Sequence, residues 1–129
     1  MKKLICILLP VVVLLFSCTK KEQDSTFTPN FKLHIQAMHH TWPVGGIKMY
    51  IKYDESTFPG TNPKLYDDSI TADPNGFVIF DHLYYGNYFV YAYGYDQNFG
   101  AWVTGNGLMK LTNANVSGGE MDTVLMVSE

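Results

Sequence analysis

Short runs of alternating apolar and polar residues, separated by turn signals, recur from Phe31 to the end of the chain. Leu33, Ile35 and Ala37 occupy every second position of the first run, and Tyr88–Tyr95 is the clearest run of all. Side chains of a strand point alternately to opposite faces, so this period of two predicts β-strands that each bury one face. About seven such runs, with no convincing helical pattern, predict an all-β fold, a seven-stranded antiparallel Greek-key sandwich.

The N-terminal segment has the organisation of a secretory signal. Two lysines follow Met1, an apolar run ends at Phe16, and the small residue Ser17 precedes Cys18. A basic start, an apolar stretch and a small residue before the cut are typical of a signal peptide. A membrane-spanning helix needs about 20 apolar residues, and this apolar run is shorter. The alternatives are an ordinary signal peptide and a membrane-spanning helix, each with an incidental cysteine.

The tetrapeptide Leu15-Phe16-Ser17-Cys18 resembles the lipobox of bacterial lipoproteins. This resemblance implies a signal peptide of residues 1–17, cleavage before Cys18, and acyl chains on Cys18 that hold the protein to a membrane. More than one acyl chain is needed for stable attachment, and processed lipoproteins carry a diacylglyceryl thioether together with an amide-linked chain. Thr19 replaces the aspartate typical of lipoproteins kept at the inner membrane, which implies the outer membrane of a Gram-negative bacterium, facing the periplasm or the cell surface.

The chain divides into three segments on this interpretation. Residues 1–17 are the signal peptide, residues 18–30 are the lipidated cysteine and a polar, flexible tether, and residues 31–129 are one domain. After cleavage, seven lysines face twelve acidic residues, and there is no arginine. A nucleic-acid binder needs a basic surface, so nucleic acid is not an expected partner. The domain itself has no cysteine, which excludes disulfides and thiolate chemistry, and no cofactor is expected.

A second resemblance covers most of the chain from Phe31 to Val127. One stretch of the chain resembles the turn-and-strand pattern of prealbumin-like domains, which is D-x-x-G-x-x-x-F-x-x-L-x-x-G-x-Y-x-V-x-A. The matching residues are Asp73-Pro74-Asn75-Gly76-Phe77-Val78-Ile79-Phe80, followed by Leu83, Gly86, Tyr88, Val90 and Ala92. Their earlier P-V-x-G-x-x-V-x-I segment is similar to Pro43-Val44-Gly45-Gly46-Ile47-Lys48-Met49-Tyr50. These transthyretin-like, or carboxypeptidase-regulatory-like, modules imply a prealbumin-like sandwich. They imply little about activity, because such sandwiches host many roles.

The strand Tyr88–Tyr95 also supplies the candidate binding surface. If its even-numbered positions face the core, the odd-numbered ones form an outward aromatic stripe of Phe89, Tyr91, Tyr93 and Tyr95. Tyrosine combines a large apolar area with a hydroxyl group and is enriched at interfaces, so the stripe could hold a glycan or a protein partner. The alternative is that adjacent strands or the loop Asp54–Asp68 cover the stripe, and that the rings only stabilise the sheet.

Histidine is the candidate metal-ligating residue type, at positions 34, 39, 40 and 82. His34 and His40 are separated by roughly 20 Å along an extended strand, whereas ring nitrogens bind zinc at about 2.0–2.1 Å. A site within His34, His39, His40 and His82 therefore needs a turn after His39, or a ligand such as His82 that approaches from elsewhere. The alternative is that these are partly exposed histidines at strand ends.

No catalytic constellation is evident in the sequence. The G-x-S-x-G nucleophile elbow is missing, no carboxylate pair is distinguished from the others, and Asp73-Pro74-Asn75-Gly76 is better explained as a turn than as part of a calcium loop. The chain is therefore expected to be no enzyme but a lipid-anchored, outer-membrane binding or accessory module. The alternatives are a structural or assembly component that pairs through an edge strand, and a small metal-binding protein that uses its histidines.

Overall fold

The structure is a computed structural model that describes residues 30–129. The expected signal peptide, Cys18 and all of the tether except Asn30 lie outside the described residues. Eight strands follow one another in the described range: β1 Phe31–His39, β2 Trp42–Pro43, β3 Lys48–Tyr53, β4 Asp68–Thr71, β5 Phe77–Leu83, β6 Gly86–Asp96, β7 Ala101–Leu111 and β8 Glu120–Val127. A single turn of 3-10 helix, Pro63–Leu65, interrupts the connection between β3 and β4. Across residues 30–129, no helix has the length and apolar character needed to cross a membrane.

The strands form two sheets that face each other. In sheet A, β1 is the central strand and is hydrogen-bonded to β2, β5 and β8. Sheet B has the order β4-β3-β6-β7, and every pair in it is antiparallel. Because the chain crosses repeatedly between the sheets, the arrangement is a Greek-key sandwich, and the prediction of an all-β fold is confirmed.

Two features of the sheets differ from a purely antiparallel, seven-stranded pattern. The pair β1–β8 is parallel over its whole length, from Lys32 opposite Glu120 to His39 opposite Val127. β8 comes to sheet A from β7 in sheet B, so no tight hairpin dictates its direction. The additional strand β2 is only two residues long and pairs with the end of β1.

The core lies between the two sheets and is built by the alternation that the sequence shows. β1 contributes Leu33, Ile35 and Ala37, and β6 contributes Val90 and Ala92, all without solvent exposure. Tyr88 belongs to the same buried cluster. The inward face predicted for β6 is therefore the face that the structure buries.

One side of the sandwich is closed by contact between β7 and β8. The backbones of Thr104 and Ser128 exchange two hydrogen bonds of 2.9 Å. A Cβ atom on Gly105 would collide with the carbonyl oxygen of Met126. A glycine at this position of β7 is what allows the two backbones to approach, since no side chain separates them.

Candidate functional site

The aromatic stripe predicted on β6 is divided by the loop of residues 54–67, which we call the covering loop. Phe89 and Tyr91 are only 7% and 5% exposed. The Phe58 ring centroid lies 5.7 Å from that of Phe89, and the Tyr66 ring stacks on Tyr91 at 5.9 Å. The predicted four-residue platform is corrected accordingly: Phe89 and Tyr91 pack beneath the covering loop, because apolar side chains of that loop gain more by burying these rings than by facing water.

The covering loop is held down by polar contacts as well as by ring packing. The Tyr66 hydroxyl donates a 2.6 Å hydrogen bond to the carbonyl oxygen of Gly60. Burial, and secondarily the neighbouring Tyr91, raises the pKa of Tyr66 to about 12. At the end of the loop, the Asp67 carboxylate accepts hydrogen bonds from the Tyr53 backbone N–H at 2.7 Å and the Lys52 ammonium at 3.1 Å. These contacts make the loop a fixed part of the surface.

The other half of the stripe is open and gains a residue from the next strand. Tyr93 and Tyr95 are each 45% exposed, and Trp102 on β7 is 60% exposed. The rings of Tyr93 and Trp102 are almost parallel, at 12° with centroids 5.2 Å apart, while Tyr95 meets Trp102 edge-on at 5.4 Å. We call Tyr93, Tyr95 and Trp102 the aromatic ledge.

The sequence pattern did not predict Trp102 as part of the aromatic surface, although the turn between β6 and β7 carries a signal for it. The β6–β7 turn closes with a 2.7 Å hydrogen bond from the Gly100 N–H to the Asp96 carbonyl oxygen. That closure fixes the register of the hairpin, which places Tyr95 directly opposite Trp102. Had the hairpin been assigned from the turn at Gly100, the cross-strand neighbours of the stripe would have followed from the register.

A cleft of about 440 Å³ adjoins the aromatic ledge. Its lining combines aromatic rings with hydroxyl groups, from Tyr50, Thr61, Pro63, Tyr91, Tyr93 and Thr104. Lys48 lies opposite Tyr93 in the register, and its ammonium is 5.6 Å from the Tyr50 ring centroid. Flat rings beside several hydroxyl groups and one ammonium suit a ligand with apolar faces and many hydrogen-bonding groups.

Two of the four histidines that were candidates for a metal site each lie beside a carboxylate. His34 Nδ1 lies 3.0 Å from Asp122 Oδ1 on sheet A, and His82 Nδ1 lies 3.0 Å from its neighbour Asp81 Oδ1. Throughout residues 30–129, no group of three or more His, Cys, Asp or Glu side chains is placed to hold a metal ion. Each of these two histidines therefore has a carboxylate partner of its own.

The turn after His39 does bring two histidines into contact, but as stacked rings. His40 has a positive φ of 55°, and its ring stacks on that of His39 with centroids 4.4 Å apart. His39 is buried and its Nδ1 lies 2.9 Å from Asp96 Oδ2. Stacked imidazoles face each other through their planes, whereas metal ligands must aim ring nitrogens at one point. This arrangement serves packing.

Comparisons with known proteins support the fold. No protein-family model matches the chain, and no curated protein matches it. A single-residue variant of BcpA, the major pilin subunit of Bacillus cereus, superposes with a TM-score of 0.51 and 9% identity, over 77% of this chain and 30% of BcpA. BcpA itself gives a TM-score of 0.50 at 9% identity, over 76% of this chain and 29% of its own.

A third solved structure is that of a candidate carbohydrate-binding protein from Pseudomonas aeruginosa. Its TM-score is 0.47 and its identity 16%, over 77% of this chain and 89% of that chain. The chain described here spans less than a third of the BcpA length, as its 30% coverage shows. The BcpA similarity establishes a β-sandwich domain of the kind found in that pilin, and the site must be interpreted from its own residues.

Proposed function

We propose that this chain is a non-catalytic binding module that takes a glycan on the aromatic ledge and in the adjoining cleft. The single observation that carries the proposal is the stacked pair Tyr93 and Trp102, whose rings lie 12° apart and are open to solvent. Exposed aromatic groups of this kind mark interaction sites. Sugar rings offer flat C–H faces that pack on such rings, and hydroxyl groups that the cleft can bind.

The ledge is placed on rigid elements, which favours binding. β6 and β7 are paired without interruption from Gly86 opposite Leu111 to Asp96 opposite Ala101. Little conformational entropy is therefore lost when a ligand covers the rings. The hydroxyl group of Thr104 donates to the Ala92 carbonyl oxygen at 3.2 Å, which leaves its oxygen lone pairs as acceptors for a sugar hydroxyl.

The proposal includes a lipid anchor on Cys18 and display at the outer membrane of a Gram-negative bacterium. This part is supported by the sequence Leu15-Phe16-Ser17-Cys18 and by Thr19 after the cysteine. Intact-mass analysis of protein from the native host is its test. The expected mass is that of residues 18–129 with acyl chains on the first residue, and an unprocessed amino terminus would reject the anchor.

A glycan array followed by fluorescence titration tests the ligand. Trp102→Ala is expected to weaken binding by about tenfold or more, since an aromatic contact is worth about 0.5–1.5 kcal/mol beyond its buried area. Trp42→Ala is the matched control, because Trp42 on β2 is 59% exposed against 60% for Trp102. Glycan binding that persists in the double variant Tyr93→Ala, Trp102→Ala would refute the proposal.

A structural role through strand pairing is the second candidate, and the outer face of sheet A favours it. Four exposed apolar side chains lie there, two on each strand that flanks β1: Phe77, Ile79, Val124 and Met126. Among the described strands, β5 is paired only with β1, so a strand of another chain could extend the sheet and cover Phe77 and Ile79. Sedimentation and in-cell cross-linking of wild type and Ile79→Lys are the tests. A monomer at high concentration with no cross-linked partner would reject this role.

A further inference from the structure

A second cleft lies at the opposite end of β3 and β6 from the aromatic ledge. Its volume is about 410 Å³, and its lining includes Tyr53, Tyr88, Asp54, Asp68, Asp81 and His82. Tyr88 and Tyr93 are five positions apart on β6, so the two sites are separated by roughly 17 Å along the strand. At that distance the cleft is a distinct site and not an extension of the ledge. Its volume falls in the range of about 300–1,000 Å³ that small-molecule sites occupy.

The cleft is strongly acidic. Among the described residues that line it are three aspartates and no lysine, and the chain contains no arginine. Lys52, which precedes Tyr53, is paired with Asp67 at 3.1 Å. Burial, and after it the charges of Asp68, Asp67 and Asp81, raises the pKa of Tyr53. The carboxylates therefore act together on a group inside the cleft, and they favour a cationic ligand.

Two tyrosine rings form walls of the same cleft. The rings of Tyr53 and Tyr88 stand at 81° to each other, with centroids 5.9 Å apart. The Tyr88 hydroxyl is fixed, because it donates to the Tyr84 carbonyl oxygen at 2.9 Å and accepts from the Tyr84 N–H at 3.0 Å. Tyr53 is 41% exposed, whereas Tyr88 is 4% exposed and borders the cleft from the core. Perpendicular aromatic walls beside carboxylates are the arrangement in which quaternary ammonium groups bind, by cation–π attraction and charge.

The spacing of the carboxylates distinguishes an organic cation from a metal ion. Within residues 30–129 no three acidic or histidine side chains converge tightly enough to coordinate one metal, although Asp54, Asp68 and Asp81 all line this cleft. A metal ion needs several oxygens at about 2.0–2.6 Å. A bulky ammonium ion with its charge spread over methyl groups needs only surrounding negative charge and apolar contact.

We propose that the cleft between Tyr53, Tyr88 and the three aspartates binds a small organic ammonium ion. The exposed Tyr53 ring packs against its alkyl groups beside the buried Tyr88 ring, and the carboxylates of Asp54, Asp68 and Asp81 balance its charge. His82, whose Nδ1 lies 3.0 Å from Asp81 Oδ1, adds a competing positive charge when it is protonated. The site is independent of the glycan proposed for the aromatic ledge.

Calorimetric titration with choline tests the proposal directly. Choline is the probe, and its neutral tert-butyl isostere is the matched control, since the two have the same shape and differ in charge. Choline is expected to bind about tenfold or more tightly than the isostere. Equal binding of the two compounds would overturn the proposal, as would saturable binding of Ca²⁺ to this cleft with no binding of choline.

Variants locate the binding and separate it from the ledge. Tyr53→Leu is expected to weaken choline binding by about 2- to 30-fold. Asp54→Asn is expected to weaken it as well, and asparagine tolerates the positive φ of 51° found at Asp54. Asp122→Asn on sheet A and Tyr93→Leu on the aromatic ledge are the controls and should leave binding unchanged. Choline binding that is insensitive to both Tyr53→Leu and Asp54→Asn would refute the site.

Discussion

His39 Nδ1 lies 2.9 Å from Asp96 Oδ2, and the two residues are only 2% and 1% exposed. The contact joins β1 in sheet A to the end of β6 in sheet B. The second carboxylate oxygen of Asp96 accepts a 2.9 Å hydrogen bond from the Asn98 N–H, so Asp96 also shapes the β6–β7 turn. The pair is therefore a polar link across one end of an otherwise apolar core, and it stands beside the hairpin that carries the aromatic ledge.

Removing the carboxylate should destabilise the protein considerably. Asp96→Ala leaves the buried His39 ring without its hydrogen-bond partner, which is expected to lower the free energy of unfolding by about 1–3 kcal/mol. Asp122→Ala is the matched control, because Asp122 also pairs with a histidine, His34, at 3.0 Å, but its side chain is 84% exposed. That change should cost no more than about 1 kcal/mol. Urea unfolding of both variants is the measurement, and equal losses would contradict the role assigned to burial.

The sequence was sufficient for the parts of the fold that depend on local pattern. The alternation in β6 correctly placed Val90 and Ala92 in the core, because burial of one face imposes a period of two. It could not place the partner of each outward residue. Whether Tyr91 is covered and Tyr93 open depends on where a loop distant in sequence folds back, and Trp102 joins Tyr93 only through the register of the hairpin. The first is a tertiary contact without a local signal, and the second follows only once the register of the hairpin is assigned.

Tyr66→Phe should make the protein less stable at neutral pH and change its response to alkali. The variant loses the hydrogen bond to Gly60, at a cost of about 1 kcal/mol. The pKa of Tyr66 is raised in the folded state from 10.0 to about 12, so its contribution to stability is complete below pH 10 and is lost as the pH rises through 12. The advantage of the wild type should therefore shrink across this window. Unfolding measured along a pH series tests this, and a difference that stays constant would contradict it.

Tyr91→Ala should lower stability, whereas Tyr93→Ala should mainly weaken glycan binding, although the two residues are only two positions apart on one strand. Tyr91 is buried under the covering loop, and its removal should cost about 3 kcal/mol or more of unfolding free energy. Tyr93 is exposed, so its removal should change stability by less than about 1 kcal/mol while it weakens glycan binding. Thermal unfolding and glycan titration of both variants provide the measurement. If Tyr91→Ala were as stable as the wild type, the covering loop would not be packed as described.

Gly105→Ala tests the closure of the sandwich between β7 and β8. A Cβ at this position meets backbone, the carbonyl oxygen of Met126, which cannot move aside without shifting β8. The expected loss is about 1–3 kcal/mol, the usual cost of overpacking. Gly107→Ala is the control two residues along the same strand, because its Cβ would lie 3.4 Å from the flexible ends of the Leu125 and Met109 side chains. That variant should stay within about 0.5 kcal/mol of the wild type. Chemical denaturation of the two variants is the measurement. If Gly105→Ala left the free energy of unfolding unchanged, β8 would not depend on this close approach to β7.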